Sequence, residues 1–449
     1  MKLKEKIFLK SPYFIKNSAI TIFNTYQYMM RNGGEYKKFR KYYSQVDIFS
    51  EQQLLDELSR KKHLFFNYVK QNSAWYQDYD FENLSSNSVL EKNDIIHNLN
   101  DIKTIDEKDG VVSLTGGTTG ASMKVIYTKS DIQERFAILD NFRARHGYTL
   151  GKRTAWFSGK NLISGKDIEK GVCSQYDFKN KIRFYSTFHI TQQNFDIYWS
   201  SLTNFKPEFI VGFPSSVYEI CEIAASKGLK LKDKVKVFFP TAETVLPEHR
   251  EVIGKVLGCK LVDQYASSEG APFILECESG NLHIHSLTGI FEVVDENMQP
   301  ANEGELLVTS FTTKGTPLIR YRIGDRIKLA SPDKKCSCHS VFPLVDKIEG
   351  RSTDYILSPT RGKVNLGNIS NSTKDVTGII KFQVIQQELD RVQIKVVVSN
   401  IFNHIEKEKF IRALENRFGL GLTINLEIVD NIEVEKSGKF RLVKNLLSN

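Results

Sequence analysis

The sequence predicts an α/β protein with a large N-terminal domain, which has mostly parallel sheets flanked by helices plus a β section, and a small α+β C-terminal domain. The chain has 449 residues and is 41% hydrophobic, which is enough for more than one hydrophobic core. Between residues 150 and 265, short apolar runs alternate with helical segments, as in parallel sheets. A separate strand and helix pattern follows residue 350. We therefore predict domains at 1–349 and 350–449, the second of which is within the usual size range of a domain.

The alternating part of the chain predicts strands and helices in turn. The predicted strands are Thr154–Phe157, Phe209–Val211, Val235–Phe239 and Lys260–Val262, and the predicted helices between them are Ser216–Lys227 and Pro247–Leu257. Gly, Pro, Ser or Thr follows each strand. Because parallel sheets bind ligands at the carboxyl ends of their strands, we expect functional side chains in these loops.

Other segments predict the remaining layers. Residues 46–75 and Lys129–Arg145 show helical spacing, and we expect Ser130, with Glu134 as its partner, to cap the second helix. Alternating patterns at Gly289–Val294 and Gly304–Thr309 predict antiparallel strands. The C-terminal domain is predicted from the strands Ile379–Ile385, Val392–Val398 and Leu422–Ile428 and the helix His404–Phe418.

The net charge of +9 is concentrated at the start of the chain. Residues 1–45 contain ten Lys and Arg residues against Glu5 and Glu35, with aromatic residues between them. One interpretation is a helical layer with solvated lysines. The other is a basic aromatic arm that contacts an anionic membrane surface, nucleic acid or a polyanionic glycan. Among these partners we expect no nucleic acid, and we retain a peripheral membrane contact through residues 1–45 as the alternative to a solvated layer.

The cysteine content and hydropathy predict a cytoplasmic location, with the arm as the candidate for a peripheral contact at the inner membrane face. Six cysteines are too few for a disulfide scaffold in a chain of this length. The early apolar residues are interrupted by Lys10 and Lys16, so they do not form a convincing secretory signal. No run approaches 18 apolar residues.

The stretch Ser113–Thr128 is the strongest candidate for a ligand-binding loop. Three glycines and four hydroxyl residues lie within Ser113–Gly120. Glycine allows the backbone to approach a ligand closely, and successive free N–H groups form a concavity for an anion. Lys124 adds a positive charge. We interpret the stretch as a phosphate-binding loop, although it lacks the Gly-Lys-Ser/Thr ending of the Walker pattern; the alternative is a flexible surface turn.

Four further motifs follow this loop in order along the chain. They are Tyr265-x-x-x-Glu269, Arg320-Tyr-Arg-Ile-Gly-Asp325, Gly350-Arg351-x-x-Asp354 and Ser437-Gly-Lys439. The ordered set resembles the adenylate-forming enzyme superfamily across essentially the whole chain. Within it the sequence is most similar to the phenylacetate–CoA ligase family, in the branch associated with capsular polysaccharide biosynthesis. The resemblance also implies that the C-terminal domain is mobile and acts as a lid.

The resemblance implies a role for each motif in the binding of ATP and Mg²⁺. Ser268 would contact the α-phosphate, Glu269 would bind Mg²⁺, and Lys439 would be the mobile catalytic lysine that reaches the carboxylate and the α-phosphate. The other ATP-binding positions would be Thr115, Gly116, Gly117, Thr118, Thr119 and Gly120 for the phosphates, Glu243 and Tyr265 near the adenine, and Asp325 and Arg351 for the ribose. Ala266 and Thr353 depart from the family pattern, at a glycine and at a hinge position respectively.

The implied activity is the ATP-dependent activation of a small carboxylic acid, followed by transfer of the acyl group to coenzyme A or to the amine of an amino sugar or amino acid. The acid is expected between the strand-end loops, where the candidates are Phe157, Ser158, Phe213, Pro214 and Ser215. From the residues alone these side chains could equally serve packing. Two other hypotheses remain open, a plain aryl-CoA ligase and a non-catalytic nucleotide-binding scaffold of a polysaccharide assembly.

A second set of residues is typical of a metal site. Cys277 and His283 precede Cys336-Ser-Cys338, with His285 and His339 as spare ligands. Four such ligands fit a closed structural Zn²⁺ site, and the alternative is a group of unrelated thiols. The remaining cysteines lie in apolar segments and are expected in the core: Cys173, Cys221 and Cys259.

Overall fold

The structure is a computed structural model, and it describes residues 3–114, 123–160, 162–233, 235–351, 355–360, 362–373, 375–435 and 438–447. Two compact units can be distinguished. The first consists of Met1–Ile22, Leu150–Val262 and Glu349–Asn449, and the second of Phe23–Thr149 and Asp263–Ile348. The division into domains at residue 350 stays a prediction.

The described residues form α-helices and β-strands with the following bounds. The helices are α1 (Leu3–Lys10), α2 (Tyr13–Asn32), α3 (Tyr36–Val46), α4 (Glu51–Asn72), α5 (Lys92–Ile102), α6 (Lys129–Arg145), α7 (Gly165–Glu169), α8 (Phe195–Phe205), α9 (Pro214–Ser226), α10 (Pro247–Leu257), α11 (Leu366–Ser370) and α12 (His404–Phe418). The strands are β1 (Val111–Leu114), β2 (Lys124–Tyr127), β3 (Thr154–Ser158), β4 (Ser174–Asp177), β5 (Ile182–Ser186), β6 (Phe209–Gly212), β7 (Val237–Pro240), β8 (Lys260–Leu261), β9 (Gln264–Tyr265), β10 (Ile274–Glu276), β11 (Leu282–Ile284), β12 (Gly289–Val294), β13 (Glu303–Ser310), β14 (Tyr321–Leu329), β15 (Leu344–Arg351), β16 (Tyr355–Ser358), β17 (Gly362–Asn365), β18 (Ile379–Glu388), β19 (Arg391–Val398), β20 (Thr423–Ile428) and β21 (Val443–Asn445).

A six-stranded sheet organises the first unit. Its order is β4-β5-β3-β6-β7-β8, and the neighbours from β5 to β8 are parallel, whereas β4 is antiparallel to β5. Apolar residues of β3, β6 and β7 are fully buried with those of α8, α9 and α10. The carboxyl ends of β5, β3, β6 and β7 therefore meet at one edge of the sheet.

The C-terminal part of the first unit contains a four-stranded sheet of order β20-β19-β18-β21. Its core is formed by β18 and β19 with Phe410, Leu414 and Phe418 of α12. Ile380 and Val397 point the other way and join the core of the six-stranded sheet. The antiparallel pair β18–β19 thus has apolar residues on both faces, and each face is covered.

The second unit contains a seven-stranded sheet of order β12-β13-β14-β15-β11-β10-β9. Its pairs β9–β10, β10–β11 and β12–β13 are antiparallel, and its core includes residues of α4 and α5. A separate hairpin pairs β1 with β2. Across the parts of the chain that the structure describes, no helix combines the length and the apolar character that a membrane span requires.

The sequence predicted a part of these elements. The predicted mixture of parallel and antiparallel sheets with helices is confirmed, and the bounds of α6, α10, α12 and β12 agree with the prediction. The predicted cap of α6 was wrong. Thr128, not Ser130, accepts from the Asp131 N–H at 3.0 Å through its hydroxyl oxygen, and the Asp131 carboxylate accepts from the Thr128 N–H. Ser130 Oγ instead donates to Glu35. Asp131 completes this box because it stands three residues after Thr128.

Candidate functional site

The carboxyl edge of the six-stranded sheet depends on one glycine. Gly212 ends β6 with φ +143°, and a Cβ atom there would lie 2.0 Å from the Phe157 carbonyl oxygen. Only glycine therefore allows β6 to approach β3 so closely at this point. The Phe213 N–H donates to the same carbonyl oxygen at 3.1 Å, so the loops after β3 and β6 are held together.

Glu243, in the loop after β7, lies at the same edge. Its carboxylate accepts from the Ser215 N–H at 3.1 Å and from the Phe440 N–H at 2.9 Å. Burial raises the pKa of Glu243, and the two backbone bonds together with the charge of Lys439 offset this in part. The carboxylate thus connects the loop after β6 with the C-terminal motif.

The turn that carries Lys439 packs onto the loops of this edge. Gly438 has φ +76°, and a Cβ atom there would lie 2.3 Å from Gly159 Cα and 2.8 Å from Thr187 Oγ1. Thr187 Oγ1 donates to the Gly438 carbonyl oxygen at 3.2 Å. The requirement for glycine before Lys439 is therefore steric as well as conformational. Ser437 lies outside the described residues.

In the second unit, the structure brings together two residues of separate predicted motifs. Tyr265 Oη donates to Asp325 Oδ2 at 2.6 Å. Tyr265 ends β9, and Asp325 lies in β14 after Gly324, which has φ +82°. Both side chains are partly exposed. A ring whose hydroxyl is fixed by a carboxylate can offer its face to a base, and the second carboxylate oxygen can still accept hydrogen bonds.

The loop with Ser268 and Glu269 is anchored to both stems of the predicted phosphate loop. Tyr127 Oη donates to the Ser268 carbonyl oxygen at 2.9 Å, and Ser113 Oγ donates to it at 3.3 Å. The Ser268 side chain is exposed, and that of Glu269 is partly exposed. The hairpin β1–β2 therefore holds the backbone of this loop and leaves the side chains of the two predicted site residues accessible.

Arg135 is a positioning residue that sequence reasoning missed. It is buried on α6, and its guanidinium donates to the carbonyl oxygens of Gly270 and Ala271 at 3.0 and 3.1 Å and to Thr312 Oγ1 at 2.8 Å. Burial lowers the pKa of Arg135. The hydrogen bonds satisfy the buried cation and fix the backbone directly after Glu269. Its position in the middle of a helix offered no pattern that could have identified it.

The predicted substrate residues differ in their surroundings. Phe157 is fully buried and stacks on Tyr185, with ring centroids 4.8 Å apart. Phe213 and Pro214 are also buried, whereas Ser158 and Ser215 are partly exposed. The loops after β3 and β6 are adjacent, but contact of these side chains with an acid stays a prediction.

Some predicted ATP residues cannot be placed. The six residues of the phosphate loop lie outside the described residues: Thr115, Gly116, Gly117, Thr118, Thr119 and Gly120. Arg351 ends β15, and only its backbone is described. Lys124 is described, and its Nζ lies 2.6 Å from Glu107 Oε1, so a neighbouring acid already partners this lysine.

The four predicted metal ligands come together in the second unit. Cys277 follows β10, His283 lies in β11, and Cys336 and Cys338 lie between β14 and β15. The four ligand atoms all lie within 4.8 Å of one another. The Sγ atoms of Cys277 and Cys336 are 3.6 Å apart, and Cys338 Sγ lies 3.4 Å from His283 Nε2. Tetrahedral zinc with Zn–S of about 2.3 Å and Zn–N of about 2.0 Å requires separations of roughly 3.5–3.8 Å, and these two separations are close to that range.

The surroundings of these ligands also suit a metal. His283 Nδ1 lies 2.9 Å from the Phe342 carbonyl oxygen, which orients the ring with Nε2 towards the cysteines. Burial raises the pKa of the Cys336 thiol, but the Cys338 N–H and the neighbouring side chains outweigh this and lower it to about 6, whereas burial and the neighbouring thiols raise the pKa of Cys338 to about 12. The remaining cysteines are buried in the core, as predicted: Cys173, Cys221 and Cys259.

Comparison with known proteins identifies relatives over most of the chain. The CapK C-terminal domain family matches residues 356–446. Protein CapK of Staphylococcus aureus is 31% identical over 423 residues, which are 90% of this chain and 92% of that protein.

Two further relatives are ligases. Phenylacetate–coenzyme A ligase of Thermus thermophilus is 24% identical over 75% of this chain and 80% of that protein. Indoleacetate–lysine synthetase of Pseudomonas savastanoi is 24% identical over 51% of this chain and 56% of that protein.

A solved structure shares the fold. It is 2-hydroxyisobutyryl-CoA ligase in the postadenylation state, in complex with R3-HIB-AMP; the TM-score is 0.71 at 16% identity, over 89% of this chain and 91% of that chain. The similarity to CapK over 90% of this chain shows the family. The chain therefore belongs to the adenylate-forming ligases, in the phenylacetate–CoA ligase family and the CapK branch of it.

Proposed function

We propose that this protein is an ATP-dependent ligase that converts a small carboxylic acid into an acyl-adenylate and pyrophosphate, and then transfers the acyl group to an amine or to the thiol of coenzyme A in surface polysaccharide biosynthesis. The observation that carries this proposal is the turn Gly438–Phe440 on the carboxyl edge of the six-stranded sheet, next to Glu243. It supports an active-site role for Lys439, because ligands of parallel sheets bind at that edge.

The first reaction would be a displacement at phosphorus. A carboxylate oxygen of the acid attacks the α-phosphorus of ATP, the bond from that phosphorus to the bridging oxygen breaks, and pyrophosphate leaves. Negative charge increases on the α-phosphate oxygens during this step. Fixed donors stabilise such charge strongly, and we assign this role to the Lys439 ammonium group and to the Ser268 hydroxyl.

The remaining ATP contacts would hold the nucleotide in line for the attack. Tyr265 lies along the adenine, with Glu243 in the segment near it, and Asp325 accepts from the ribose hydroxyls, with Arg351 on the same side of the sugar. Bound Mg²⁺ would neutralise phosphate charge, and the carboxylate of Glu269 supplies an oxygen ligand of the kind that Mg²⁺ prefers. We assign the phosphates to residues 115–120, where glycine and hydroxyl groups predominate.

In the second reaction the acceptor would attack the acyl carbon of the adenylate. The bond between this carbon and the phosphate oxygen breaks, AMP leaves, and the proton of the amine or thiol passes to solvent. Both acceptors are supported by relatives, since one is named for lysine and another for coenzyme A. The polysaccharide context rests on the similarity to CapK.

Two structural features belong to the same proposal. Residues 350–449 would form the mobile lid that carries Lys439, after a large domain at 1–349, so that closure completes the site when substrates are bound. A structural Zn²⁺ would be held by Cys277, His283, Cys336 and Cys338, where it would join the loop after β14 to β10 and β11. We place the protein in the cytoplasm, where these thiols stay reduced.

Pyrophosphate exchange tests the proposal directly. Labelled pyrophosphate should enter ATP only in the presence of the correct acid, because exchange requires a reversible adenylation step. A panel of aryl acids, amino acids and uronic acids would identify the acid. Absence of exchange with every acid, in protein that binds ATP, would contradict the ligase and favour the nucleotide-binding scaffold.

The substitution Lys439→Ala tests the catalytic assignment. We expect exchange to fall at least about 100-fold, as when one stabilising donor is removed from a transition state, while ATP binding is retained. Lys444→Ala is the matched control, because Lys444 lies in the same tail and pairs with Glu435 at 3.7 Å. Equal rates for the two variants would rule out the assignment of Lys439.

A further inference from the structure

Helix α2 has its polar and apolar faces reversed relative to a helix on a protein surface in water. Seven of its exposed side chains form one apolar stripe, which consists of Ile15, Ala19, Ile22, Phe23, Tyr26, Met29 and Met30; Tyr13 and Phe14, in the first turn, are exposed outside this stripe. Ile22 is 71% exposed, and Met29 is 67% exposed. A surface helix ordinarily turns such a face towards the core. The apolar stripe is therefore a feature that the packing of the chain does not explain.

Three of the four side chains that α2 buries are polar, and the fourth is Ile20. Lys16 and Asn17 are each 1% exposed, and Asn24 is 7% exposed. The Lys16 ammonium group donates to Asp167 at 2.8 Å, and Asn17 Oδ1 accepts from the Tyr176 N–H at 2.8 Å. These bonds compensate for the burial of polar groups. They also fix the rotation of the helix about its axis, because turning the apolar stripe inward would break these hydrogen bonds.

The C-terminal part of α2 is held in the same orientation. The guanidinium carbon of Arg31 lies 4.2 Å from the centroid of the Phe136 ring, and Gln133 Nε2 donates to the Met30 carbonyl oxygen at 3.2 Å. At about 100° per residue, the members of the apolar stripe fall within an arc of roughly 120°, whereas Asn17, Asn24 and Arg31 lie on the opposite side. The stripe is thus a continuous surface along the whole helix.

Charge distinguishes between the surfaces that could cover the apolar stripe. The stripe itself contains no charged residue, and residues 6–34 contain no Asp or Glu. Exposed lysines lie beyond both of its ends, with Lys10 before the helix and Lys37, Lys38 and Lys41 after it. Two copies of the chain that met along the stripe would bring lysines against lysines, whether the helices ran parallel or antiparallel. An anionic surface meets no such repulsion.

We propose that the apolar stripe of α2 docks the protein on an anionic lipid bilayer, with the helix lying in the plane of the interface. Isoleucine, methionine and phenylalanine side chains would enter the boundary of the acyl chains, and Tyr26 would sit at the level of the headgroups, as interfacial aromatic residues do. The flanking lysines would contact lipid phosphates, because an anionic membrane surface attracts basic residues that lie close to it.

Vesicle sedimentation of the full chain tests this proposal. The probes are vesicles of mixed phosphatidylglycerol and phosphatidylcholine, and vesicles of phosphatidylcholine alone. We expect binding to the mixed vesicles, weaker binding to phosphatidylcholine, and loss of binding as salt is raised. The double substitution Ile22→Asp with Phe23→Asp should weaken binding to the mixed vesicles at least about tenfold, since it removes apolar area that the bilayer would bury and adds two negative charges.

The control is Leu389→Asp, which replaces one apolar side chain by aspartate at a position that is 63% exposed in the turn between β18 and β19. It should bind vesicles like the unsubstituted protein. Because all three positions are exposed, the variants should fold, and unchanged melting temperatures would establish this. Equal binding by both variants would overturn the proposal. So would light scattering that showed a dimer dissociated by the α2 variant without any vesicle binding, because a second copy would then cover the stripe.

Discussion

At the scale of single residues, the second unit uses one buried cation to position a functional loop. Arg135 satisfies the carbonyl oxygens of Gly270 and Ala271, and a Cβ atom on Gly270 would lie 2.2 Å from Thr313 Cγ2. The backbone after Glu269 is thus fixed by hydrogen bonds and by close packing together. The sequence motif identified Glu269 by its type and spacing, but a helical arginine far away in sequence could be assigned to this loop only from the fold.

The four ligand residues lead to a prediction about metal content. Purified protein should contain one zinc ion per chain, and Cys338→Ser should weaken zinc binding by more than about 100-fold, because loss of a ligand costs more than loss of an outer partner. The melting temperature should fall with it, since the ligands come from segments far apart in sequence. Metal analysis by mass spectrometry and thermal unfolding with and without a chelator would measure both effects.

His339→Asn is the control for this substitution. His339 neighbours Cys338, but it is exposed and has φ +61°, a conformation that asparagine tolerates. This variant should retain the metal and the melting temperature. A protein that is purified without zinc and is insensitive to chelators would instead favour a group of unrelated thiols.

At the scale of elements, the start of α10 depends on a neutral histidine. His249 is buried, and its Nδ1 accepts from the Leu246 N–H at 3.2 Å, so the ring proton is assigned to Nε2. Burial lowers the pKa of His249 to about 3. In the unfolded chain the pKa of a histidine is about 6.5. The unfolded state therefore binds more protons between these values, and the stability that His249 contributes is complete above about pH 6.5 and is lost as the pH falls.

We therefore predict that the difference in unfolding free energy between the protein and His249→Gln shrinks on acidification. This difference in unfolding free energy should fall by roughly 2 kcal/mol between about pH 7 and about pH 5. The pH then lies about 1.5 units below the pKa of histidine in the unfolded chain, and each unit corresponds to about 1.4 kcal/mol. Urea unfolding at the two pH values would measure this. His404→Gln, at an exposed position of α12, is the matched control for loss of an imidazole. A difference that does not vary with pH would show that His249 is not held neutral.

The elements also show how far sequence reasoning extends. Helices such as α10, which begins with Pro247 and ends before Gly258, were predictable because both ends carry residues with strong conformational preferences. Pro214 likewise opens α9, but Ser216 was the predicted start. The pair β4–β5 was not predicted, because Tyr176 and Arg183 interrupt its apolar pattern. In the structure both of these side chains pack on Phe205. Helix α2 was predictable as a helix, whereas its reversed orientation depends on distant partners such as Asp167.

In the candidate site, too, the residues could be selected from the sequence, whereas their contacts could not. Residue type and order were enough to select Tyr265, Asp325 and Lys439, since each belongs to a motif with a glycine or hydroxyl neighbour. The direct bond from Tyr265 to Asp325 could not be derived, because β9 and β14 are separated by other strands of the sheet. The contact of Phe440 with Glu243 likewise joins segments almost two hundred positions apart.

At the scale of the whole molecule, the first unit is assembled from segments that are distant in sequence. Lys381 of β18 and Glu219 of α9 form a buried ion pair at 2.9 Å, with side chains 7% and 8% exposed. Lys381 Nζ also lies 5.1 Å from the centroid of the Phe440 ring, next to Lys439. The pair therefore links the C-terminal sheet, the helix after β6 and the segment that carries the proposed catalytic lysine.

This ion pair should be costly to break and inexpensive to replace. Burial raises the pKa of Glu219, and Lys381 offsets this in part. Lys381→Met should destabilise the protein by about 3–5 kcal/mol, because it leaves a buried carboxylate without a partner. The double variant Lys381→Met with Glu219→Met should have an unfolding free energy within about 1 kcal/mol of the original protein.

The pH dependence of the Lys381→Met protein gives a second measurement. Because the pKa of Glu219 is raised in the folded state, this variant should lose stability as the pH rises from about 5 to about 8. Arg391→Met, which breaks the exposed pair with Glu388 on the same hairpin, should cost less than about 1 kcal/mol. Urea unfolding of the original protein, of Lys381→Met, of Glu219→Met and of the double variant completes a double-mutant cycle. Additive effects of the two single substitutions would show that the two charges do not stabilise each other in the folded protein.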